Sequence, residues 1–186
     1  KLSAITRSSD GTTYLFGSSS ETLGGKKLVG RVDGILIKVA KTGSITSVVR
    51  SSAPKGLRDW QSTTSSLFVT GSVRSGTTVE SAITKFNSSF VPSWTTRISS
   101  TGRTLASSGA NGSFYAILEP TSAIKGVTGF KAIKGQSAVL QFDSKGLLIS
   151  AFTSAGLTSA ISTTYSSTAG LFLLTGDGKI LQVSNS

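Results

Sequence analysis

Three residue types that commonly carry chemistry are missing. The 186-residue chain has no Cys, no Met and no His. Without Cys no disulfide can form, and without Cys or His there is no thiolate or imidazole metal site. A Cys or His nucleophile or base, and with it the Ser-His-Asp triad, is excluded too. Acids are scarce: eight Asp and Glu face nineteen Lys and Arg, a net charge of +11. No two acids lie within three positions of each other, so the closely spaced oxygen ligands of a calcium loop are lacking. No cofactor is expected. No apolar run approaches the roughly 18 residues of a membrane-spanning helix. The chain starts at Lys1 with neither an initiator Met nor a charged-then-apolar leader, as expected of a processed or excised piece. A chain without Cys suits an extracellular protein and a cytosolic one equally.

What fills the chain is Ser, Thr, Gly and short apolar runs, and these repeat. The stretch GILIKVAKTGSITSVVR, residues 34–50, is two runs around a turn. It returns as SAITKFNSSFVPSWTTR from Ser81 and as SAVLQFDSKGLLISAFT from Ser137. A partial fourth copy, Lys179-Ile180-Leu181-Gln182-Val183, closes the chain. Aligned on their turns, Gly43, Phe90 and Gly146 share a column. Lys38, Lys85, Gln141 and Gln182 share another, beside an apolar column of Val39, Phe86, Phe142 and Val183. A polar column next to an apolar one is the signature of a pleated strand. Pro92 cannot donate to a ladder, which predicts a strand that begins there or lies on an edge.

Upstream of each hairpin lies an aromatic-aliphatic run: Tyr14-Leu15-Phe16-Gly17, Phe68-Val69-Thr70-Gly71, Phe114 to Leu118, and Leu171 to Leu174. A small-residue strand and a tight turn precede it, the turn written Asp10-Gly11 in the first copy and Asn111-Gly112 in the third. Helix-period stripes are absent. The pattern therefore predicts an all-β fold, a β-propeller-like array of about four antiparallel four-stranded blades over 3–54, 56–103, 104–156 and 157–186. The last blade is incomplete: either it has three strands, or the chain is part of a larger ring, or another chain completes it. A β-sandwich or a solenoid of the same hairpins is the alternative.

The strand Gly34-Ile35-Leu36-Ile37-Lys38-Val39 with Thr42-Gly43, and the later Phe68-Val69-Thr70-Gly71, resembles the bacterial β-propeller repeat called SBBP. Phe142-Asp143-Ser144-Lys145-Gly146 keeps that repeat's Asp and turn Gly. Ala40, Asn87 and Ser184 replace the Asp in the other copies, and Phe90 replaces the Gly. The resemblance implies a secreted or cell-surface bacterial protein and carries no catalytic residue.

Basic residues cluster twice, at Lys26, Lys27 and Arg31 and more loosely at Lys125, Lys131 and Lys134. Both clusters fall in the variable loops between second and third strands, which map to one face of a repeat array. With Trp94, which is expected on an outer strand, they are the candidate binding residues. The expected partners are an anionic polysaccharide, a cell-wall polymer or another protein. Nucleic acid is disfavoured, because the aromatics lie in the most apolar strands rather than among the basic residues. Self-association through exposed strand edges is a further expectation. The function this points to is a non-catalytic binding or structural module. The competing class is a glycan hydrolase or lyase using carboxylates on the same face, where Glu21, Asp33, Glu80 and Glu119 flank the loops. Asp10, Asp143 and Asp177 sit at tight turns, where Asp serves the backbone.

Overall fold

A computed structural model describes residues 1–52 and 55–184. The described chain is all β apart from one short turn of 3-10 helix at Ala110–Gly112. Strands β1 (Leu2–Arg7), β2 (Thr13–Ser19), β3 (Asp33–Val39) and β4 (Ile45–Ser51) form the first sheet in chain order. Strands β5 (Leu57–Thr63), β6 (Phe68–Ser75), β7 (Thr78–Phe86), β8 (Pro92–Ser108), β9 (Phe114–Pro120), β10 (Gln136–Phe142) and β11 (Leu148–Thr158) form a seven-stranded second sheet. Strands β12 (Ala160–Ser166), β13 (Gly170–Thr175) and β14 (Ile180–Val183) make the third. Every named pairing is antiparallel. Strand β8 does begin at Pro92.

Sheets of four, seven and three strands differ from the expected run of separate four-stranded blades. The reason is β8. Its first part pairs with β7, ending at Glu80 opposite Ser99, and its second part pairs with β9, beginning at Ser100 opposite Pro120. The expected break at 103/104 lies inside this strand. No chain reversal occurs there, only a register shift between Ser100 and Thr104 and a left-handed Gly102, with φ of 95°. The sheet folds back on itself at that bend. Phe68 of β6 then stacks on Phe114 of β9, with centroids 4.6 Å apart.

Alternation explains the rest. Each strand lends one face to each neighbouring layer. Tyr14, Phe16 and Leu36 pack toward Trp60, Val69 and Phe86. Phe68 and Ile83 pack toward Phe114, Leu140 and Phe142. Tyr115, Ile117 and Val139 pack toward Leu171 and Leu173. The three apolar cores thus follow one another along the chain. Gly17 and Gly71 occupy equivalent places in β2 and β6. A Cβ there would fall 2.0 Å from the Lys1 carbonyl oxygen and 2.1 Å from that of Asp59. In these two units the irregular first strand presses its backbone onto the second, and only glycine leaves room.

Candidate functional site

An open groove of about 850 Å³ lies along the β4 edge of the first sheet. One wall is the edge strand β4 from Ile45 to Arg50. The other is the loop joining β2 to β3, at Gly24, Gly25, Lys26, Lys27 and Val29. The loop folds back on itself through a Leu23–Lys26 bridge, and Gly24 rests against Val48 so closely that a Cβ would lie 2.8 Å from its Cγ2.

Two buried charges anchor the loop. Asp33 is fully buried and accepts the backbone N–H groups of Val29 at 3.0 Å and Gly30 at 2.8 Å. Arg50 lies across the strand pair from Ile35. Its Nε sits 3.6 Å from the Asp33 carboxylate and donates to the Lys26 carbonyl at 3.3 Å. Its Nη2 donates to the carbonyl of Glu21, while Nη1 has no hydrogen-bond partner among the described residues. A buried pair of this kind is weak evidence for net stability, but it fixes geometry. Here it holds Lys26 and Lys27 beside the groove. No carboxylate side chain lines it. Arg50 was not a candidate from sequence: in a strand it looks like any polar alternate.

The other candidate residues are placed as follows. Arg31 is exposed beyond the groove, and its backbone N–H donates to the Gly56 carbonyl at 2.8 Å. Lys125, Lys131 and Lys134 stay exposed on the loop joining β9 to β10. That loop is pinned by buried Ile124 and by Glu119, whose carboxylate accepts the Gly135 N–H at 2.8 Å. Trp94 is half-buried. Its ring stacks on Phe142 at 5.9 Å and covers Gly146. Trp60 is buried, edge-on to Phe86 at 5.5 Å and against Gly34 of the first sheet.

Seven of the eight carboxylates are spoken for by structure; the eighth, Glu21, is exposed and engages the described residues only through its backbone N–H and carbonyl. Besides Asp33 and Glu119, Glu80 pairs with Arg97 and Asp59 with Lys1. Asp143 accepts the N–H groups of Lys145 and Leu147. Asp10 is held down to about 2, chiefly by the Ser8 hydroxyl and then by the Thr12 N–H. Asp177 is also held down to about 2, first by its hydrogen bond from Lys179 and then by Thr175. Among the described residues no group of three or more acids could hold a metal ion. Nor, among the described residues, is any helix long and apolar enough to cross a membrane.

The fold defines an antiparallel all-β protein with a groove bordered by basic residues. No protein-family model matches the chain, and no curated protein matches it. Among solved structures it is similar to virginiamycin B lyase from Staphylococcus aureus at 8% identity and a TM-score of 0.35. That match covers 98% of this chain and 69% of the other. Similarity of that depth transfers no residue and no activity.

Proposed function

We propose that this chain is a non-catalytic binding module of the propeller type, built from four successive units with a short last one. It acts outside the cell or at its surface and holds an anionic polymer through its loops. The observation that carries the reading is the groove: Lys26 and Lys27 on a loop fixed by Arg50 and Asp33, with no acid on its walls. A mobile basic loop would pay more ordering entropy on binding than this anchored one. The hydroxyls of Thr46, Ser47 and Ser52 add neutral donors for a polysaccharide. The competing enzyme reading would need a pair of acids, and all but Glu21 are committed to turns, loop anchors and ion pairs.

Retention on an immobilised acidic polysaccharide tests it. The wild type is expected to bind at low salt and elute as salt rises, since such contacts are screened. K26S/K27S is expected to lose most retention, and K125S/K131S/K134S much less. A wild type that is not retained at low salt overturns the reading. Self-association belongs to the same proposal. The outer face of the third sheet carries Phe172, Leu174 and an Ile180 that is 73% exposed, with no layer on it among the described residues. The mass of the same samples in solution reports whether a second copy covers it.

A further inference from the structure

Three more hollows run in series along the inner strands and share no lining residue with the groove. The middle one, of about 400 Å³, lies where the second sheet folds at β8. Arg74 near the end of β6 and Arg103 in the second part of β8 both line it. It shares Ser72 and Arg74 with a hollow of about 290 Å³ on one side. It shares Thr101 and Arg103 with one of about 240 Å³ on the other.

Arg7, Arg50, Arg58 and Arg97 each donate to a partner within the protein. Arg74 and Arg103 are exposed, and neither guanidinium makes a hydrogen bond or ion pair with the described residues. Two free guanidinium groups thus border one concavity with no carboxylate on its walls. Like charges so arranged repel, and an anion between them turns that repulsion into attraction. The floor beneath them is already built. Gln61 donates to the Gly102 carbonyl at 2.9 Å and to Ser72 Oγ at 3.2 Å, and its Oε1 accepts the Thr104 N–H at 2.9 Å. The acids of the flanking hollows are engaged elsewhere, Asp59 with Lys1 and Glu119 with the Gly135 N–H.

We infer that Arg74 and Arg103 form a second anion site, one that takes a sulfate or carboxylate substituent of an acidic polysaccharide lying along this furrow. Guanidinium forks match both oxyanions in two-point geometry, and Ser72, Thr101 and Gln61 offer the neutral contacts a sugar needs. No aromatic side chain lines any of the three hollows, so the stacking platforms that hold single-stranded nucleic acid are missing. The site shares no lining residue with the groove and stands without it.

Titration with a sulfated oligosaccharide too short to reach the groove tests the site. R74S/R103S is expected to weaken binding by about tenfold or more at low salt, and R74K/R103K by less, because charge survives while the fork is lost. K26S/K27S should bind the short probe as the wild type does, which separates this site from the groove. Both arginines are exposed, so thermal unfolding of the variants should match the wild type. If the double variant unfolds early, R74S and R103S singly are expected to show the same loss in part. Unchanged affinity in the arginine variants overturns the inference. So does tighter binding of a single-stranded oligonucleotide of equal charge.

Discussion

At the scale of the residue, the second unit is the informative one. The turn column that holds Gly43 and Gly146, each with φ of 89°, holds Phe90 in this unit, at a φ of 60°. Leu67 sits in the same way in the preceding turn, at 57°. Left-handed backbone costs a side chain about 1–2 kcal/mol. Both side chains are buried in the core between the first and second sheets, where the Phe90 ring meets Tyr14 at 5.6 Å and Phe16 at 6.1 Å, edge to face. Burying such a ring contributes about 1.5–3 kcal/mol, enough to offset the strain. Phe90→Ala should therefore destabilise by about 3–5 kcal/mol in urea unfolding, as it loses the ring and keeps the strain. Phe90→Gly should be milder by about 1 kcal/mol, the reverse of the usual ranking of Ala and Gly. Equal losses would show that the turn is not strained. From sequence Phe90 reads only as a departure from the repeat, because the Tyr14 and Phe16 rings it meets lie in another sheet.

Turn chemistry also sets an acid limit. Asp10 and Asp177 both fall from an ordinary 3.8 to about 2 in the folded chain. A folded pKa below the unfolded one means that the stabilising contribution is present above about 4 and is lost as pH falls toward 2. D10N/D177N should flatten the dependence of the melting temperature on pH across that window. An unchanged slope would assign acid sensitivity to other groups. These two turns were legible, since Asp at a tight turn announces its own use.

At the scale of the element, the hairpins and the start of β8 at Pro92 could be read from alternation and turn residues alone. The join between units could not. Thr101-Gly102 has the look of a boundary, yet it only bends a continuous strand. A glycine marks a change of direction in the same letters whether the pairing ends or carries on. Gly102 has φ of 95°, and a Cβ there would lie 3.0 Å from Val79. A buried Ser81–Ser100 hydrogen bond of 2.7 Å sits beside it. Gly102→Val combines left-handed strain with branching, and should cost about 1–3 kcal/mol or more. Wild-type stability in urea for this variant would place the bend elsewhere. The arginines of the furrow were invisible for a related reason: Arg74 and Arg103 meet only because the sheet folds at this bend.

At the scale of the whole molecule, the continuity of β8 bears on how the structure comes apart. A chain of separate sheets opens one layer at a time, each with its own free energy. Here the middle of the molecule cannot do that, because one backbone segment is laddered into both halves of the central sheet. In native-state hydrogen exchange the amides of β6, β7, β9 and β10 should share a single high protection, while β1, β4 and β14, at outer edges, exchange sooner. Two distinct protection classes split at Gly102 would contradict this. The same tie means that a ligand seated on Arg74 and Arg103, in the middle hollow, would span two units that already open and close as one. Its binding would tighten the centre as a block, and would leave the outer sheets free to breathe.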